Sequence, residues 1–500
     1  MSARRLLTLA AALATGASGP AHAALDEAAL LAQLKTMAQR LQQLEERNAA
    51  LERRLEATAA VAVAPDTDER LQKLERAQAD ADRALGSERL SDAEPELVTR
   101  LKAVEYQALS MQKQTRQIEA LEGITVSAAV ASMLQHAGKD GGAEGQAQTR
   151  LNYRGDVALT LPGGGFGNAE GQIFTQLRFG QGSGVALRTT FTATPNTTTF
   201  EVGGVADPDS SFAVLGQLWY QLSVPLPLDG FKPHSKRQLQ LNAGKIDPFV
   251  FFDQNSIADD ETTRFVNNVF VHNPLLDSGG DAGMDAYGFT PGLRLAYLDA
   301  SDPGRPWAAS VGVFGSGPAS NFSGSLGRPF AIAQVEVAPR LLGGLAGNYR
   351  LYAWHNGRAG AIDGREEAHA GWGLSVDQRV TESTRLFGRY GQRLRGHGGF
   401  DRALTLGAEV AGELWQRAAD AFGLAAAWLP ASAAWREATA DGTLIGARAS
   451  GAERVVELYY RWRLGAQLEL SPDLQWIGRP AAHPQASSFW AVGLRARLGF

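Results

Sequence analysis

The 500-residue chain contains no cysteine. That excludes disulfides, thiolate metal sites and thiol nucleophiles, and it suits a protein that crosses an oxidising compartment unfolded. Methionine is scarce, at 5 residues. Beyond the first two dozen residues no run of about 18 apolar residues occurs, so no helix of the sequence is long and apolar enough to cross a membrane. A strong charge of either sign is missing too. The net charge of -5 is small for this length and argues against a nucleic-acid partner. His272, His355 and His369 are scattered, no H-E-x-x-H or G-x-S-x-G occurs, and Gly163-Gly164-Gly165 lacks the Lys-Ser/Thr of a phosphate loop. The residues therefore call for no enzyme, cofactor or metal.

What is present divides the chain. Arg4 and Arg5 precede an apolar run from Leu6 to Leu13, and small residues end in Ala21-His22-Ala23, which predicts a secretory signal over 1–23. Over 24–58, Leu30, Met37, Leu44 and Leu51 form one row of a heptad seam, and Leu34, Leu41, Asn48 and Leu55 form the other. Arg40 and Arg47 stand five residues before Glu45 and Glu52, the spacing at which charges flanking the seam meet on a parallel neighbour. Asn48 would pair with its own copy and fix register. The expectation is a parallel coiled coil of two or three strands. A linker containing Pro65 and charged helical stretches from Glu69 to Arg89 and from Glu96 to Leu121 fill 59–122.

From Gly123 the period changes from 3.5 to two. Leu151, Tyr153, Val157, Leu159 and Leu161 alternate with Arg150, Asn152, Arg154, Asp156 and Thr160. Phe212, Val214, Leu218, Tyr220 and Leu222 oppose Gln217, Trp219 and Gln221, and Val456, Leu458, Tyr460, Trp462 and Leu464 oppose Glu457, Tyr459, Arg461 and Arg463. A soluble sandwich also alternates. Two features favour an outer-membrane barrel. Arginine recurs on the polar faces of many strands, as a water-filled lumen needs, and Trp428, Trp462, Trp476 and Trp490 stand near strand ends, as interfacial girdles do. A membrane-spanning β structure must close to satisfy its backbone. Residues 123–500 are enough for about 16 to 18 antiparallel strands around an aqueous channel.

Several segments carry a resemblance. Gly244-Lys245-Ile246-Asp247, Phe251-Phe252-Asp253-Gln254-Asn255, Asp260-Glu261 and Phe265-Val266-Asn267-Asn268 before Asn273-Pro274 resemble the carbohydrate-selective porin family (OprB-like). So do Tyr349-Arg350-Leu351-Tyr352-Ala353-Trp354, Glu457-Leu458-Tyr459-Tyr460-Arg461, Leu470-Ser471-Pro472-Asp473-Leu474-Gln475-Trp476 and Arg479-Pro480. The strand ending at Phe500 resembles the signal by which outer-membrane proteins reach their assembly machinery. The family resemblance implies an outer-membrane channel of 16 strands in a Gram-negative bacterium, trimeric, passing glucose and similar sugars and narrowed by an inward loop. The helical prefix resembles the periplasmic coiled coils that precede some sucrose and phosphate porins. Outer-membrane lipids, small sugars, sister protomers, and peptidoglycan or a periplasmic protein are the expected partners.

The alternation lapses between Asp253 and Phe289, which makes this segment the candidate constriction loop. Its polar residues Asp253, Asn255, Asp259, Asp260, Glu261, Arg264, Asn267 and Asn268 can donate to and accept from sugar hydroxyls, provided no contact is strong enough to trap the solute. Equally, Asp253, Asn255 and Asn267 can tie the loop to the wall. The register turns Arg150, Arg154, Arg178, Arg188, Arg350, Arg389, Arg393, Arg461, Arg463 and Glu457 inward, either as a polar track facing the acidic loop or as ion pairs neutralising the wall. Trp219, Phe174, Tyr352 and Trp354 also fall inward, where an aromatic face can stack on a pyranose or pack beneath a loop. Two rival functions follow from the same residues. Inward arginine without carboxylates at the narrowest point would make an anion or phosphate channel, and the coiled coil alone would make a structural tether to the cell wall.

Overall fold

The computed structural model describes residues 123–500 apart from 193, 201–210, 229–234, 283–287 and 318–324. The signal segment, the heptad seam and the helices expected before 123 lie outside the described residues. The strands are β1 (Thr125–Ala137), β2 (Gln148–Phe166), β3 (Ala169–Gln181), β4 (Phe212–Leu226), β5 (Arg237–Ile246), β6 (Thr290–Asp299), β7 (Trp307–Phe314) and β8 (Phe330–Val337). After a two-residue β9 (Arg340–Leu341) come β10 (Leu345–Gly360), β11 (Glu366–Arg379), β12 (Thr384–Arg395), β13 (Arg402–Ala411), β14 (Ala421–Pro430), β15 (Ala452–Arg463), β16 (Leu468–Gly478) and β17 (Phe489–Gly499). Neighbours pair antiparallel, β8 pairs with β10 across the β9 turn, and β17 pairs with β1 from Ala129↔Gly499 to Ala137↔Ala491. The sheet thus closes as a 16-strand barrel, and no backbone edge is left open to lipid. Among the described residues no helix is long and apolar enough to cross a membrane.

The direction of the two faces separates this barrel from a soluble sandwich. Leu151 is 65 % exposed on the outside while Arg154, three residues on, is 4 % exposed on the inside. Leu177, Leu293, Val311, Val335, Leu406 and Leu494 repeat the outward pattern, and Asn152, Asn242, Gln334, Arg389 and Gln475 the inward one. Such an apolar exterior is stable only in hydrocarbon. Trp428, Trp462 and Trp490 are exposed on it, Trp476 lies across from Trp490, and Trp307 packs on Tyr297 at 5.3 Å.

One stretch departs from simple alternation. Leu177 pairs with Leu215 but Gln176 pairs with Gln217, so a bulge at Gly216 shifts β4 by one residue. Val214, opposite Arg178, therefore shares the inward register, and Leu215 takes the lipid side in its place. Phe212 moves inward with Val214, because a bulge reverses every side chain on one side of it.

Glycine on one strand makes room for an inward aromatic on the next. A Cβ on Gly373 would stand 2.5 Å from the Tyr352 ring, and one on Gly423 2.2 Å from the Tyr459 ring. These rings lie flat on the wall and leave the interior to the loops. Connections are short where β1 starts and β17 stops, as at 167–168, 380–383 and 464–467. The opposite end carries the long segments 182–211, 247–289 and 431–451.

Candidate functional site

Segment 247–282 leaves the wall after β5 and crosses the interior, because its polar groups end on inward side chains of strands on the far side. Asp253 anchors the start, with a left-handed backbone (φ 55°). Its Oδ1 accepts from the Tyr352 hydroxyl at 2.7 Å and from Arg389 Nε at 3.1 Å, and its Oδ2 accepts from the Asn273 amide at 2.5 Å. Arg389 also donates to the carbonyls of Phe270 and Asp253. Asn255 donates to the Val376 carbonyl of β11. Further on, the Glu457 carboxylate of β15 accepts the amides of Val266 and Asn267 at 2.6 and 3.0 Å, and Asn267 Nδ2 donates to Gln475 of β16. The Asn267 side chain also caps the short helix α1 (Asn268–Val271). Arg495 of β17 donates to the carbonyls of Glu261 and Arg264.

The end of the segment is sealed by Asp281. It takes Arg393 at 2.7 Å, His369 Nδ1 at 2.7 Å and Trp354 Nε1 at 3.0 Å, all buried. Burial alone would raise the Asp281 pKa, but the Arg393 charge and the hydrogen bonds hold it below the ordinary carboxylate range. Phe191, Thr192, Thr194 and Pro195, from the connection between β3 and β4, are fastened alongside. Glu453 accepts from the amides of Phe191, Thr192 and Ala481, Asn268 N donates to Thr194 O, and Gln135 and Gln475 both donate to the Pro195 carbonyl.

The candidate residues fall into two groups. Asp253, Asn255, Asn267, Arg389, Arg393 and Glu457 are buried and spend their polar atoms between loop and wall, which is the arrangement of ties, while the buried Asn268 joins the loop to Thr194 of the neighbouring segment. Trp219 is 7 % exposed, stacked on Phe174 at 4.8 Å and edge-on to Phe251, and Tyr352 and Trp354 lie beneath the loop. Partly open are Asp260, Glu261, Arg264 and Arg461. Arg154 bridges Glu261 at 2.6 Å and Asp156 at 3.1 Å, and Arg178 meets the same Asp156 at 2.7 Å. Arg264 and Arg461 reach Glu409 at 3.2 and 3.7 Å. Asp260 caps its own turn through Thr262 and Thr263. Burial opposes its charge, yet these bonds keep its pKa below the usual range. Arg188 is not on a strand, because β3 stops at Gln181; it stands partly exposed in the connection from β3 to β4.

His272 follows α1 and stacks on Phe249, centroids 3.7 Å apart. Its Nδ1 is 3.0 Å from Asp277 and its Nε2 3.7 Å from Asp259. Burial works against a charged imidazole, but the Asp277 hydrogen bond and the carboxylates of Asp277, Asp259 and Asp247 push its pKa up to about 9. Burial in turn raises Asp259 well above the ordinary carboxylate value. The sequence alone did not single out Asp281, Glu409 or Glu453. They are ordinary polar positions until the closed barrel brings their partners to them.

Inward ties, paired charges and a closed barrel describe a channel, and comparison with known proteins agrees. The family model described as "Carbohydrate-selective porin, OprB family" matches residues 188–500. The chain belongs to that family. A high-pH structure of Pseudomonas putida OprB aligns with this porin at a TM-score of 0.59 and 16 % identity, over 78 % of this chain and 96 % of that one. A low-pH structure of the same protein aligns over the same shares at 0.44 and 16 %. The outer membrane channel DcaP of Acinetobacter baumannii aligns at 0.45 and 9 %, over 75 % and 97 %. No curated protein matches. Family and fold place the porin in a Gram-negative outer membrane, as a channel rather than an enzyme.

Proposed function

We propose that this porin carries glucose-like mono- and oligosaccharides by passive diffusion, and that segment 247–289 forms the narrow part of its pathway. The carrying observation is the set of paired charges at the loop, partly open except for the buried Arg154 and Glu409: Arg154, Asp156, Arg178 and Glu261 on one side, and on the other Arg264 and Arg461, which share Glu409, with the Asp260 carboxylate also acting on Arg264. Fixed donors and acceptors without net charge replace the hydration of a hydroxyl-rich solute and do not hold it tightly. A phosphate channel would want these arginines uncompensated, and here Arg154 and Arg178 meet Asp156 and Glu261 while Arg264 and Arg461 share Glu409. Buried ties such as Asp253–Arg389 act indirectly in this reading, by fixing the loop on which the open groups stand.

The seam from Leu30 to Leu55 belongs to the same proposal. Three parallel copies meeting on a threefold axis would hold a homotrimer from the periplasmic side, within reach of peptidoglycan or a periplasmic protein. The function is tested by single-channel conductance in planar bilayers, titrated with glucose, maltose and phosphate. Saturable reduction by the sugars, weakened in Glu261→Gln and Arg264→Gln, is the expected result. Block by phosphate with no response to sugar would replace this reading with an anion channel.

A further inference from the structure

One row of inward side chains crosses five neighbouring strands without a break in register. Gln238 of β5 opposes Leu298 of β6, Leu298 opposes Ala308 of β7, Ala308 opposes Glu336 of β8, and Glu336 opposes Arg350 of β10. On β5 to β8 the row stands one residue inside the strand ends at which β1 starts and β17 stops, the end with the short turns. In an outer-membrane barrel that end opens to the periplasm. Gln334, two residues before Glu336, takes the Asp253 amide at 2.9 Å and donates to the Phe251 carbonyl and to Glu336. The row therefore lies directly beyond the crossing segment on the periplasmic side.

Along the row the side chains change from polar to apolar and back. Leu298 and Ala308 make a low apolar floor, and a hollow of about 220 Å³ lies over it, lined also by Gln238, Glu336, Asn348 and Arg350. Polar capacity is left over at both edges. Gln238 is half-buried, and its side chain has no hydrogen-bond partner among the described residues. Asn348 spends its Nδ2 on Asp377 and keeps its Oδ1, and a third of the Glu336 side chain is open although Arg350 holds it at 3.2 Å. Charges of the two signs balance: Arg350 also meets Asp377 at 3.2 Å, and Lys236 and the Arg237–Asp299 pair stand at the rim. Strands about 4.8 Å apart put the Gln238 and Glu336 backbones about 14 Å from each other, and the two side chains reaching inward leave a gap about one pyranose wide.

We propose that the row from Gln238 to Arg350, with Asn348, is a second solute subsite on the periplasmic side of the crossing segment, taking one neutral hexose at a time. The inference rests on the sugar-channel reading and adds an exit station to it. Ring carbons lie on Leu298 and Ala308, Gln238 donates to and accepts from hydroxyls at one edge, and Glu336 and Asn348 Oδ1 accept from them at the other. Two weak stations in series let a solute leave the first as it enters the second, where one tight station would hold it.

The test titrates single channels of the full-length protein, of Gln238→Leu and of Ala308→Phe with glucose added to one face of the bilayer at a time. In Gln238→Leu half-block from the periplasmic face should need about fivefold more glucose, the worth of one neutral hydrogen bond, while half-block from the opposite face should move by less than about twofold. Ala308→Phe, which fills the hollow, should weaken periplasmic-face block at least as far. Gln238→Leu keeps the side-chain size at a position without a partner, so it decides the matter where Ala308→Phe fails to insert. Unchanged block from the periplasmic face in Gln238→Leu overturns the inference and leaves the sugar channel standing. So do equal shifts from both faces, which put the effect at the crossing segment. A wild-type channel that glucose blocks from neither face removes the sugar channel itself.

Discussion

The Asp253 carboxylate and the Arg389 guanidinium meet at 3.1 Å with neither side chain reachable by water. One stands on the crossing segment and the other on β12, so the pair fixes how far the segment extends across the interior. Asp253→Ala leaves a buried cation without its counter-charge, a loss of about 3–5 kcal/mol. The expected outcome is a lower thermal midpoint together with larger, noisier single-channel conductance. An unchanged conductance would show that the segment keeps its place without this tie.

Glu457 holds two adjacent loop amides with its two oxygens. Glutamine offers one carbonyl in their place, so Glu457→Gln orphans one buried N–H at a cost of about 1–3 kcal/mol. Denaturant midpoints should fall accordingly, and hydrogen exchange at Val266 and Asn267 should accelerate while strand amides stay protected. Equal protection in both proteins would count against the tie.

Gly423 gives the Tyr459 ring its place, and the Tyr459 hydroxyl donates to Glu409 at 2.6 Å. Gly423→Val should cost about 1–3 kcal/mol by overpacking and displace the hydroxyl. Adding Tyr459→Ala should recover much of the stability, since the clash is with that ring. Strictly additive effects in the double variant would mean the two positions do not meet.

His272 carries a pH dependence with a definite sign. Its folded pKa, about 9, lies above the ordinary 6.5, so its stabilisation is complete below 6.5 and is lost as pH climbs through 9. Channel noise in the wild type should therefore rise between about pH 8 and 10. His272→Asn should be noisy throughout and flat over that window. A wild-type trace independent of pH would remove His272 from the loop's electrostatics.

Strand pattern was legible in the sequence because period two is local. Leu151 and Arg154 announce their faces without knowledge of any other strand. The bulge at Gly216 was not, since a one-residue slip changes no composition, only which of Val214 and Leu215 meets lipid. The crossing segment was legible as a lapse in alternation, and its polar residues were found. Which of the two readings holds for Asp253, Asn255 and Asn267, solute contact or tie to the wall, was not, because Asp253 is tied to Arg389 and Asn267 to Glu457 across the barrel, and a linear reading sees donors and acceptors without their partners. For the same reason His369 seemed scattered although Asp281 receives it at 2.7 Å.

The pairing of β17 with β1, continued by the Phe500 amide donating to the Ala128 carbonyl, has a kinetic meaning. The seam joins the two ends of the described chain, so it cannot form while the later strands are still being delivered. Every earlier hairpin can assemble locally, yet the cylinder has two unpaired edges until this last pair zips, and such edges invite aggregation. Closure should accordingly behave as a late, all-or-none event, and a chain arrested before β17 should carry intact hairpins but no lumen.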